Sequence, residues 1–221
     1  MTGYRGHVEA GSGLERRQIT VGGAAVEIAK RSVGPMDNNA YLITDVSSGE
    51  ALLIDAANDA EALLELVAGV SVVAIHTTHG HYDHWQAVEA VRAATGAPVL
   101  LGPGDQEMME PAADRVVAHG DEIKVGSFAV TLLQTPGHTP GSVCVLLRGD
   151  DRPHLFTGDT LFPGGPGNVF GNADAFVQIM ESLRTRLFVL PDDTWVYPGH
   201  GDDTTLGAER GSLDEWQARG W

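Results

Sequence analysis

A chain of 221 residues, 43% of them hydrophobic, can bury one substantial core, and 30 acidic against 14 basic side chains leave a formal charge of -16. That balance excludes the basic face which binding to DNA, RNA or an anionic membrane by counterion release requires. The single cysteine, Cys144, excludes an intramolecular disulfide and a cysteine-built zinc site, and it reads as a small buried apolar residue. No apolar leader and no run long enough to span a bilayer are visible, so no membrane segment is expected and a cytoplasmic setting is the default.

Residues 1–17 carry glycines and mixed charges without periodicity, which predicts a loose N-terminal arm ahead of one domain over 18–221. Short strands follow, the clearest over 40–44 and 51–55, joined by a Ser47-Ser48-Gly49 turn. Asn58 suits a helix cap, with Ala62, Leu63, Leu66 and Val67 on one face. A buried strand is predicted over 70–75, then a helix from near Asp83 to a stop at Gly96, then a strand over 99–101. The stretch 103–118 has no clear pattern, and Met108 and Met109 there read as core filling. Residues 122–125 and 128–133 form a second hairpin, 143–147 and 155–156 two further strands around a Gly149-Asp150-Asp151 turn. A last helix over 174–187 places Phe176, Ile179, Met180, Leu183 and Leu187 on one side, and 195–197 is one more strand. Loosely alternating strands and helices in two halves, without an internal repeat, predict an α/β sandwich.

Four polar clusters follow the ends of these strands. They are Thr78-His79-Gly80-His81-Tyr82-Asp83-His84, then His138, Asp159 and His200, each set among small turn-forming residues. Loops that leave strand ends on one edge of a sheet converge. Five imidazoles and two carboxylates are nitrogen and oxygen donors suited to zinc, iron or manganese, and seven are more than one tetrahedral ion uses. Two divalent ions are therefore expected, zinc first among them. His79, His81 and His138 would hold one, Asp83, His84 and His200 the other, and Asp159 would bridge. Two such ions about 3.5–4 Å apart lower the pKa of shared water from about 16 toward 7. Asp83 and Asp159 are thus the candidate catalytic carboxylates, with Asp83 placed to orient the attacking hydroxide.

The series T-H-x-H-x-D-H, T-P-G-H-T-P-G-S, T-G-D-T-L-F and P-G-H, spread over 39–202, resembles the metallo-β-lactamase-fold hydrolases, most of all their glyoxalase II branch. All seven metal-binding positions of that branch carry the expected residue type here. The resemblance implies a four-layer αβ/βα sandwich, a dinuclear site at one edge, and hydrolysis of a small thioester, lactone or other acyl compound. It also suggests Asp55 as a partner of a ligand histidine. Where that branch has a G-G-C-G-[KR] loop whose basic residue helps to bind glutathione, this chain has Gly164-Gly165-Pro166-Gly167-Asn168, so glutathione is not expected as the strict carrier. Tyr82, Asn168 and Phe170 are the candidate substrate contacts, in and beside a glycine-rich wall over 162–172. His7, His76, His119 and His154 read as surface or structural residues. The alternatives from other classes are a persulfide dioxygenase with one iron on His79, His138 and Asp159, and a lactonase or β-lactamase.

Overall fold

The apolar alternation read above sorts into two sheets in the computed structural model, which describes residues 4–220. One sheet has seven strands in chain order: β1 (Leu14–Val21), β2 (Ala24–Val33), β3 (Asn38–Asp45), β4 (Glu50–Ile54), β5 (Ser71–His76), β6 (Val99–Leu101) and β7 (Arg115–Val116). Its first four strands are antiparallel meanders, and from β4 onward the pairing is parallel. Parallel neighbours need crossovers, and helices α1 (Ala60–Leu66) and α2 (Val88–Thr95) supply two of them.

The second sheet comprises β8 (Glu122–Val125), β9 (Phe128–Gln134), β10 (Val143–Arg148), β11 (Pro153–Gly158), β14 (Trp195–Pro198) and β15 (Thr204–Thr205), in the order β15-β14-β11-β10-β9-β8. A small hairpin of β12 (Leu161–Phe162) and β13 (Gly165–Pro166) follows β11. Helix α3 (Ala173–Ser182) then runs through a π-helical turn, Leu183–Leu187, and α4 (Leu206–Arg210) and α5 (Leu213–Arg219) close the described chain.

Three apolar layers lie between these parts. The sheets face each other through Ile28, Tyr41, Ile43 and Ile54 on one side and Leu132, Val145, Phe156 and Tyr197 on the other. Phe156 and Tyr197 stack there with centroids 4.5 Å apart. Leu63, Leu66, Val88 and Val91 cover the outer face of the first sheet against Leu42, Leu53 and Ile75, while Phe176, Ile179, Leu183 and Trp216 cover the second against Leu146, Leu155 and Val196. Because both faces of each sheet are covered, the fold has the four layers the resemblance implies, in one domain.

Several local expectations shift. β1 begins at Leu14, so the boundary at residue 17 falls inside a strand paired along its whole length with β2. The cap of α1 is Asp59, whose carboxylate accepts from Ala62 N, and not Asn58. The helix expected from Asp83 is broken into a 3-10 turn, Tyr82–His84, and α2 from Val88, because the first turns must aim His81, Asp83 and His84 at a common point. Met109 is core but Met108 is 38% exposed. Among the described residues no helix is long and apolar enough to cross a membrane.

Candidate metal centre

All four clusters arrive at one edge of the sandwich. Asp55 follows β4 in a left-handed conformation (φ 56°), rare for a non-glycine residue. Its carboxylate accepts from Thr78 N at 2.7 Å and Thr78 Oγ1 at 2.8 Å, and it stands 2.9 Å from His84 Nδ1. The loop carrying His79 and His81 is held from the other side by Asp105, which is fully buried. Asp105 accepts from Gly80 N (2.8 Å), Thr139 Oγ1 (2.6 Å) and Gly141 N (2.7 Å), so one carboxylate ties the His79–His81 loop to the His138 loop.

The donors gather into two groups. His79 Nε2 lies 3.1 Å from His81 Nδ1, which lies 2.9 Å from His138 Nε2. In the other group, His84 Nε2 is 3.2 Å from His200 Nε2, and Asp83 Oδ2 is 3.3 Å from His200 Nε2 and 3.5 Å from His84 Nε2. Asp159 stands between the groups, with Oδ2 3.5 Å from both His138 Nε2 and His200 Nε2 and Oδ1 3.4 Å from His84 Nε2. All seven sequence-predicted donors therefore meet, in the two sets expected, and triads drawn from them span less than 4.8 Å.

Hydrogen bonding shows which face of each ring carries the lone pair. The Asn168 and Met36 carbonyls can only accept, so His138 Nδ1 (2.7 Å) and His200 Nδ1 (2.8 Å) donate outward, and in the neutral form of each ring the lone pair falls on the inward Nε2. Asp55 fixes His84 in the same sense. Inward lone pairs about 3 Å apart repel unless something positive lies among them. Asp159 Oδ1 is also buried without a hydrogen-bond donor. The donor set thus fits divalent cations.

Its electrostatics say the same. Burial pushes His79 and His138 below the usual imidazole range, and for His79 the neighbouring His84 adds to the effect. Burial also opposes the charge on His84, but the Asp159 and Asp55 carboxylates outweigh it and raise its pKa. His200 is pushed up to about 10, its burial outweighed by hydrogen bonds to Asp159 and Asp83. Asp159 and Asp83 lie below the usual carboxylate range, because imidazoles overcome their partial burial. The centre is a trap for positive charge.

The candidate substrate contacts divide. Phe170, 70% exposed, places its ring 5.8 Å from that of His81 and 5.9 Å from that of His138. Asn168 serves through its backbone oxygen on His138, while its side chain accepts from Phe170 N at 2.7 Å. Tyr82 is 64% exposed and packs edge-on against Trp85 at 4.9 Å. Asn38, unforeseen, donates to Asp83 Oδ2 at 3.0 Å. Behind the 166–173 loop lies a groove of about 660 Å³ lined by Val169, Asn172, Phe176, Val177 and Gln217 among others, with no ionisable side chain. Of the remaining histidines, His154 is buried against Tyr197 Oη (2.9 Å), His7 is exposed beside Asp202, and His76 is buried without a side-chain partner.

Comparison with known proteins agrees. An uncharacterized protein of Aquifex aeolicus is 36% identical over 194 residues, 80% of this chain and 91% of that one. A hydroxyacylglutathione hydrolase of Brucella anthropi is 41% identical over 166 residues, 74% of this chain but only 61% of the relative, so this chain spans about three fifths of that protein. Among solved structures, ETHE1 from Myxococcus xanthus matches with a TM-score of 0.69 at 33% identity, covering 89% of this chain and 81% of that one. TTHA1623, solved in a di-iron-bound form, matches with a TM-score of 0.66 at 33% identity, covering 82% and 96%. The model of the metallo-beta-lactamase superfamily matches residues 33–200, the span from the end of β2 to the last of the seven donors, and with this fold and this cluster the chain belongs to that superfamily.

Proposed function

We propose that the protein is a metallohydrolase that uses two divalent cations to cleave a small thioester or a related acyl compound. The observation that carries this reading is Asp159, whose carboxylate reaches histidines of both donor groups at once. His79, His81 and His138 would hold one cation, Asp83, His84 and His200 the other, and zinc, iron and manganese all suit such donors. When bound, the pair supplies Lewis acidity and a water acidic enough to ionise near neutral pH.

The chain's own residues do the rest. Asp55, Asn168 and Met36 fix the tautomers of His84, His138 and His200. Asn38 holds one Asp83 oxygen, leaving that carboxylate a free edge to orient the attacking water. The seven donors are committed to binding, so no separate general acid is assigned. A leaving group that departs without a proton is then favoured, and a thiolate, whose thiol has a pKa of about 8.5, meets that need. The name of the Brucella relative supports thioester chemistry. The groove, lined by no ionisable side chain, and the exposed Phe170 support a neutral carrier over glutathione. The charge of -16 supports a small-molecule substrate over a nucleic acid.

Metal analysis of the purified protein, with a panel of neutral and glutathione thioesters and lactones, tests the proposal. Two ions per chain and thioester or lactone hydrolysis that falls at least about 100-fold in Asp159→Ala are expected. One iron per chain with oxygen uptake would instead identify a persulfide dioxygenase on His79, His138 and Asp159.

A further inference from the structure

Lys30 lies in β2, its side chain 0% exposed and that of Asp203 1%. Its ammonium donates to the Gly6 carbonyl (3.0 Å), the Gly201 carbonyl (2.7 Å) and Asp203 Oδ1 (2.7 Å), which uses all three of its hydrogens. Asp203 Oδ2 accepts from Tyr4 Oη (2.7 Å) and Trp195 Nε1 (2.8 Å), and Asp203 N donates to Gly6 O (2.9 Å). The segment before β1 is thus bound to the loop that carries His200, although it gave no sign of function in the sequence. A Cβ on Gly6, already at φ +76°, would stand 2.8 Å from Asp203 Cβ. The contact is made for glycine.

What this network holds is the backbone just beyond a metal donor. Gly201 O also accepts from Asn39 Nδ2 (2.9 Å), Pro198 O accepts from Tyr41 Oη (2.7 Å) and Gly199 O from Asn39 N (2.8 Å). Every carbonyl flanking His200 is fixed on one side by β3 and, at Gly201, on the other by Lys30. A buried ion pair with all its hydrogen bonds satisfied adds little net stability, because desolvation offsets attraction; its best-attested use is to specify one geometry. We propose that Lys30, paired with Asp203 and locked by Tyr4 and Gly6, is a positioning residue for His200, and so sets how tightly the cation held by Asp83, His84 and His200 is bound. This rests on the two-cation reading above.

Titration of the metal-stripped full chain with Co(II), read by visible absorption and calorimetry, tests it alongside the melting temperature of the metal-free protein. Wild type is expected to take two ions. Lys30→Met is expected to keep the first at unchanged affinity and to bind the second at least tenfold more weakly, with an altered absorption band. The double variant Lys30→Met/Asp203→Asn removes both charges while leaving acceptors for Tyr4 and Trp195. It should recover the melting temperature but not the second ion. Gly6→Ala keeps both charges but crowds Asp203, so it should weaken the second ion in the same direction, and it decides the matter if Lys30→Met fails to fold. Two ions bound as in wild type by these variants would overturn the proposal, as would equal weakening of both ions with a lowered melting temperature. Wild type holding a single ion would sink the two-cation reading and the clamp together.

Discussion

Gly199 lacks a side chain for a reason that lies across the fold: a Cβ there would stand 2.2 Å from Asp159 Oδ1 and 2.8 Å from His84 Cε1. Gly199→Ala is expected to displace the carboxylate between the donor groups and weaken metal binding about tenfold or more, checked by metal content after dialysis. His76 makes a different prediction. Burial holds its imidazole down at about 4, against the pull of the Asp55 carboxylate. An unfolded histidine titrates near 6.5, so between those values the unfolded chain binds the extra proton. Stability from this group is complete above about pH 6.5 and is lost as pH falls toward 4, by about 3 kcal/mol in all. His76→Leu should therefore flatten the acid limb of stability in the metal-free protein, measured by urea unfolding from pH 7 to 4; parallel curves for the two proteins would refute it.

The 163–172 loop and the start of α3 join the site to the groove. Asn172 caps α3, its side chain accepting from Asp174 N and Ala175 N. Asn172→Ala should cost about 1 kcal/mol of stability in denaturant melts while leaving metal content unchanged. Asn168 is exposed, and only its backbone oxygen touches His138. Asn168→Arg would place a cation at the mouth of an uncharged groove. It should shift KM between neutral and carboxylate-bearing thioesters by several-fold and leave bound metal as it was, and identical kinetics on both would count against the groove as a carrier site. These elements also show what periodicity reads well. Phe176, Ile179 and Leu183 revealed α3 because its apolar face repeats, and the break between the Tyr82–His84 turn and α2 stayed hidden because Trp85 and Val88 continue an apolar spacing across it.

Loops from both sheets meet at the centre, and the repelling donors there are compensated only by positive charge. Metal binds the folded chain and not the unfolded one, so at about a thousand times the dissociation constant it adds about 4 kcal/mol. Chelation should lower the melting temperature by on the order of 10 °C for a chain of this size, restored by adding zinc back. An unchanged melting temperature after verified metal removal would mean that the donors settle without an ion.

Sequence by itself determined the candidate donors: the seven residues that converge, most of the longer strands and helices around them, and the missing basic residue at Asn168. Each of these is written in a residue type or a local spacing. Only the tertiary structure decided that Asp105 joins the Gly80 and Gly141 loops and that Lys30 reaches Asp203 from 173 positions away. Those residues have no local pattern to betray them. Their roles come from packing two sheets face to face, which brings together groups that the chain itself keeps far apart.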